Sequence, residues 1–116
     1  MHYSGNVYIL ISGLTFSGGS EFAALAKNHT NAFFIGEETG GGYYGNTSGR
    51  FLNFTLPETK TTGRLRLIKY VVETNVNKPS FGQGLVPDHP LQQSIQDYID
   101  KRDVEKEFVK KIIAGN

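Results

Sequence analysis

Val7-Tyr8-Ile9-Leu10-Ile11-Ser12-Gly13-Leu14-Thr15-Phe16-Ser17-Gly18-Gly19-Ser20-Glu21-Phe22-Ala23 is the stretch that decides the fold class. Its first five residues are apolar without strict alternation and rich in β-branched and aromatic types, the composition of a strand covered on both faces. Ser12 to Gly19 interrupts that run, and Phe22, Ala23, Leu25 and Ala26 then form an apolar stripe at helical spacing, ending near Asn28. A strand, a short loop and a helix follow in that order. A second buried strand, Ala32-Phe33-Phe34-Ile35, comes next. This alternation reads as an α/β fold.

Working outward, Gly36 opens a polar, glycine-rich loop that runs roughly to Gly49, longer than most connections and so a place to look for function. Leu52, Phe54 and Leu56 alternate with Asn53 and Thr55, and Leu65 and Leu67 alternate with Arg64 and Arg66, which predicts a hairpin closed across Glu58 to Gly63. The second strand is expected to run on to Val72 with a bulge or change of burial at Leu67-Ile68. Pro79 to Pro90 reads as a loop. Ser94 and Asp97 have capping-box spacing and start a short helix whose inner face is Ile95, Tyr98 and Ile99. Asp103 caps a last helix carrying Val104, Phe108 and Ile112 on one stripe, with Lys106, Lys110 and Lys111 outward.

Composition narrows the function classes. The 116 residues fit one compact domain spanning 1–116. A net charge of +1, from 12 basic and 11 acidic residues spread along the chain, lacks the basic stripe of a nucleic-acid binder. Cysteine is absent, which excludes disulfides, thiolate metal sites and a cysteine nucleophile. The longest apolar run, Val7 to Ile11, is too short for a membrane span. Three scattered histidines without an i, i+4 pair do not make a metal site, and the glycine clusters fit neither the Walker nor the dinucleotide spacing. No metal or organic cofactor is implied.

The loop before the helix is where chemistry is concentrated. A nucleophilic serine has to present its hydroxyl to a cleft while backbone N–H groups face the developing oxyanion, and a sharp turn into a helix meets both needs. Ser17 stands at that junction, with Gly18 beside it as an oxyanion donor and small enough to admit a peptide. The competing reading of the same residues is that Ser17 or Ser20 only caps the helix.

The ordered fragments Gly5-Asn6-Val7-Tyr8-Ile9-Leu10-Ile11, Thr15-Phe16-Ser17-Gly18-Gly19, Phe34-Ile35-Gly36-Glu37-Glu38-Thr39-Gly40-Gly41, Leu56-Pro57 and Gly84-Leu85-Val86-Pro87-Asp88 resemble the C-terminal portion of S41 serine peptidases, the C-terminal processing, tail-specific and tricorn-like enzymes. The resemblance implies part of a crotonase-like catalytic domain, a superhelix of strand-strand-helix units, with Ser17 as nucleophile and Gly18 as oxyanion donor. It implies a substrate cleft at Thr39, Gly40 and Gly41, peptide or unfolded protein as substrate, and an extracytoplasmic, periplasmic or secreted location. Where the processing branch carries a lysine base in a T-F-G-K-G loop, this chain reads Thr39-Gly40-Gly41-Gly42-Tyr43. Gly42 cannot be a base. The general base is then expected from a segment outside this chain, which makes the remainder of the catalytic domain a partner and the isolated chain inactive. Glu73 and His89 are the supporting candidates within it; a solvated strand end and a loop histidine are their ordinary readings. Asp88 reads as a turn residue and cap, and Tyr43 and Tyr44 either contact substrate or close a core edge. The rival to an enzyme is a noncatalytic peptide-binding or interaction module on the same fold.

Overall fold

The computed structural model describes residues 3–73 and 81–115. The apolar run forms β1 (Tyr8–Ile11), the stripe forms α1 (Gly18–His29), and the second run forms β2 (Phe33–Gly36). β1 and β2 pair in parallel with Ile9 opposite Phe34 and Ile11 opposite Gly36. A parallel pair needs a crossover between its strands, and α1 is that crossover. Period-two alternation sends Ile9, Ile11 and Phe34 to the face under α1, where Ile11, Ala23, Phe34 and Leu85 make the buried core and Ala26 and Tyr43 pack at its margin. Tyr43 thus closes a core edge.

Four short strands follow: β3 (Gly45–Asn46), β4 (Phe51–Thr55), β5 (Thr62–Arg66) and β6 (Tyr70–Val71). β4 and β5 form the antiparallel hairpin read from the alternation, with Leu52 opposite Leu65. The second strand does not continue to Val72. It stops at Arg66, and after Leu67, Ile68 and Lys69 the chain starts a separate ladder, β6 on β3. The change expected at Leu67-Ile68 is therefore a complete exchange of partner.

The loop assigned to Pro79–Pro90 is corrected at its end, and its first two residues lie outside the described ones. His89 and Pro90 form β7 (His89–Pro90), the third parallel strand, on the far side of β2. Proline is tolerated there because an edge strand leaves one side without ladder bonds. Asp88 is no helix cap: its N–H donates to Phe34 O at 2.8 Å, its Oδ2 accepts from Phe34 N–H at 2.9 Å, and its carboxylate pairs with Lys27 on α1. One side chain thereby ties sheet and helix together. Its partial burial acts to raise the pKa, yet the bonds from Lys27 and Phe34 outweigh that and hold it below the usual aspartate value.

Ser94 and Asp97 make both bonds of a capping box at the start of α2 (Ile95–Ile99), and Asp103 Oδ1 accepts from Lys106 N–H at 2.9 Å as α3 (Val104–Gly115) begins. The inner face predicted for α2 is open instead, with Ile95 82%, Tyr98 73% and Ile99 63% exposed. The Cα radius of gyration is 18.5 Å, against roughly 13 Å for a compact domain of this length. The chain is more extended than its length predicts because the hairpin and α2 cover no core of their own.

Candidate active site

β1, β2 and β7 end on the same side, at Ile11, Gly36 and Pro90, and the loops leaving β1 and β2 meet there. The carboxyl edge of a parallel sheet is where α/β proteins place their sites. The loop after β1 is wound tightly: Thr15 N–H donates to Ser12 O at 2.8 Å, and Ser12 N–H donates back to Thr15 Oγ1 at 3.0 Å. Thr15 O then accepts two bonds, from Ser20 Oγ at 2.8 Å and from Gly41 N–H at 3.0 Å. The residue two before Ser17 is thus fastened both to α1 and to the glycine loop.

Phe16 to Gly19 is a four-residue turn closed by Gly19 N–H on Phe16 O at 3.0 Å. Ser17 has φ 51° and ψ −123°, outside the regions open to L-residues and close to the second position of a type II′ turn, where glycine is the usual occupant. Holding serine there costs about 1–3 kcal/mol and persists only because the surroundings dictate it. The double-bonded Thr15 carbonyl and the Phe16–Gly19 closure supply that constraint.

Two features follow from this backbone. Ser17 is exposed and its side chain makes no cap bond, although its carbonyl accepts the first helical bond from Glu21 N–H at 3.0 Å. Gly18 is exposed as well, with open space where a Cβ would stand, and its N–H is one of the unpartnered donors of the first helical turn. Among the described residues neither the Ser17 hydroxyl nor the Gly18 N–H has a hydrogen-bond partner, and both stand at the positive end of α1. The capping alternative fits Ser17 poorly, since no cap bond exists, and Ser20 is buried with its hydroxyl already used on Thr15.

The other candidate residues divide clearly. Gly40 and Gly41 abut the serine turn: a Cβ on Gly40 would run into the Gly13 carbonyl and the Phe16 ring, and one on Gly41 would run into Ser20 Oγ. Their glycine character is thus demanded by close packing of two loops. Thr39 does not face a cleft. It is 3% exposed, and its hydroxyl donates to Gly41 O and accepts from Leu85 N–H, both at 2.8 Å, which staples the glycine loop to the Gly84-Leu85 segment. Glu38 adds a bond from Gly84 N–H at 2.7 Å.

No base is brought to Ser17 by the described residues. His89 shares the register position of Ile35, on the face away from α1, and its ring centroid is 5.5 Å from that of Phe108. His29 ends α1, twelve residues and about 18 Å along the axis from Ser17. His2 lies outside the described residues. Glu73 is exposed beyond β6, as a solvated strand end. Lys27 is committed to Asp88. Glu21, in the first turn of α1, accepts from Asn46 Nδ2 and so ties that turn to β3.

A strained serine at the mouth of a parallel sheet, next to a free helix N-terminus, is the arrangement of hydrolases that work through an acyl intermediate. The family model described as Peptidase family S41 matches residues 1–91. The chain belongs to that family, and its function is peptidase-related. No curated protein matches it.

Proposed function

We propose that the chain is the nucleophile-bearing part of a serine endopeptidase. The observation that carries this is the backbone of Ser17, held at φ 51° at the start of α1 with its hydroxyl making no cap bond. In the reaction Ser17 Oγ attacks the scissile carbonyl carbon, its proton passes to a general base, and the oxyanion is received by Gly18 N–H. Return of that proton to the amine leaving group breaks the C–N bond and leaves an acyl-enzyme, which water hydrolyses by the same route reversed.

The base and a second oxyanion donor come from segments outside this chain. Three observations support a larger catalytic domain around it, one for which the family resemblance implies a crotonase-like architecture. None of the described residues offers Ser17 a base. Leu14 and Phe16 beside the serine, and Phe22 on the outer face of α1, are 88%, 57% and 62% exposed. Ile95, Tyr98 and Ile99 leave α2 equally uncovered. Apolar surface of this extent marks an interaction face.

The test compares the full-length protein, its Ser17→Ala variant and the isolated chain on an unfolded protein substrate. Hydrolysis by the first alone supports the reading, with a loss of several orders of magnitude on substitution. Substrate binding by the full-length protein without any hydrolysis would instead make it a noncatalytic peptide-binding module.

A further inference from the structure

We propose that Ser20 is a positioning residue for the reaction, an inference that rests on the serine-peptidase reading and adds to it what selects the backbone conformation of the nucleophile. Ser20 lies in the first turn of α1, where alanine is the better helix former, and a serine inside a helix ordinarily returns its hydroxyl to a carbonyl three or four residues back. Here the hydroxyl reaches out of the helix to Thr15 O at 2.8 Å. The bond spans the whole Phe16–Gly19 turn, joining the residue before it to the residue after it.

Thr15 O is held from two sides. Its two acceptor positions are filled by Ser20 Oγ and by Gly41 N–H, the latter at 3.0 Å. The Thr15–Phe16 peptide is planar, so fixing its oxygen fixes the plane from which the chain enters the turn. Gly41 is pressed against the same point, since a Cβ on it would run into Ser20 Oγ and stand 3.1 Å from Phe16 Cα. By contrast, a four-residue turn closes with the same bond, Gly19 N–H on Phe16 O, whether its second residue has φ of about −60° or +60°. That bond does not select the conformation of Ser17. The clamp on Thr15 O does.

The magnitudes make the clamp decisive. The strain of a serine at φ 51° is of the same order as the net worth of one buried hydrogen bond. Deleting the Ser20 hydroxyl therefore lets the turn relax toward negative φ and re-aims the Ser17 side chain. Ser20 itself is 3% exposed and does not reach a peptide, so its effect runs through Ser17.

The experiment uses full-length protein carrying Ser20→Ala, together with Ser20→Thr and Ser20→Val, which share a shape and differ in the hydroxyl. Folding is confirmed by circular dichroism. Fluorophosphonate labelling of Ser17 reads the nucleophile without a peptide, and hydrolysis of a quenched fluorescent peptide gives kcat and KM. We expect Ser20→Ala to lower the labelling rate and kcat by about tenfold, with KM within about twofold of the parent, and Ser20→Thr to label faster than Ser20→Val. Labelling of Ser20→Ala within about twofold of the parent, a raised KM at unchanged kcat, or equal labelling of the Thr and Val variants overturns the proposal. If the Thr and Val variants do not fold, the comparison of Ser20 with alanine decides. A second measurement needs no activity: the loss of stability caused by Ser20→Ala in urea unfolding should be larger in a Ser17→Gly background than in the parent, because only the serine has strain to release when the clamp is removed. Equal losses overturn the proposal. A parent that is neither labelled nor active removes the peptidase reading and this role with it, whereas equal labelling of parent and Ser20→Ala removes this role alone.

Discussion

Replacing Ser17 by alanine and by glycine separates a strained nucleophile from a helix cap. The Ser17 hydroxyl makes no cap bond, so Ser17→Ala removes no interaction and keeps the Cβ that makes φ 51° costly. Its stability should stay within about 0.5 kcal/mol of the parent. Ser17→Gly relieves strain of about 1–3 kcal/mol and gives back about 0.5–1 kcal/mol through the freer unfolded chain. The glycine variant should therefore be more stable by about 1 kcal/mol, while losing all reactivity. Urea unfolding followed by far-ultraviolet circular dichroism, with equal dependence on urea in the three proteins, gives both values. If the hydroxyl were a cap, alanine would cost about 0.5–2 kcal/mol and glycine would gain nothing. An alanine variant destabilised by more than about 1 kcal/mol, or a glycine variant less stable than the alanine one, refutes the reasoning.

The remaining expectations concern the loops and the clamp. Gly41→Ala drives a methyl into Ser20 Oγ and should cost about 2–4 kcal/mol in urea unfolding, through overpacking and loss of the Ser20–Thr15 bond. In a Ser20→Ala background that cost should fall by about 1 kcal/mol or more; strict additivity would contradict the packing argument. Thr39→Val strands the buried Leu85 N–H and should cost about 1–3 kcal/mol by the same assay, while a neutral result would show the staple to be dispensable. Asp88 has a lowered folded pKa, so its contribution is present above the unfolded aspartate value and is lost as pH falls through the folded one. Asp88→Asn should lower stability at neutral pH by no more than about 1 kcal/mol, given the exposure of the pair, and should flatten the loss below about pH 4. An unchanged acid profile would show the clamp contributes nothing.

What could be read from the residues follows the strength of the local signal. β1, α1 and β2 were legible because two apolar runs flank a stripe of helical period, although Leu10 and Phe33 of the runs and Phe22 and Leu25 of the stripe are exposed, and the β4–β5 hairpin because Leu52, Phe54 and Leu65 alternate. β7 was not, since two residues ending in Pro90 carry no strand signal and gain one only from the Ile35 backbone beside them. The β3–β6 ladder is held by two residue pairs, one including Gly45, and leaves no pattern. At the site, the corner at Ser17 was legible, but the positive φ is fixed by bonds from Gly41 and Ser20 to Thr15, which sequence spacing does not reveal. The resemblance puts Thr39 in a substrate cleft; the structure buries it, with its hydroxyl on the Leu85 N–H from a segment distant along the chain. The open face of α2 defeats periodicity in another way, because an apolar stripe says that a face is to be covered and not by what.

The most direct test of the account is to treat full-length protein and the isolated chain with a fluorophosphonate and map the adduct by mass spectrometry of the peptide holding Ser17 and Ser20. The account predicts a single adduct in the full-length protein, on Ser17 and not Ser20, lost in Ser17→Ala, and no adduct on the isolated chain. An active peptidase labelled at another serine, or an isolated chain labelled at Ser17 as fast as the full-length protein, would contradict it.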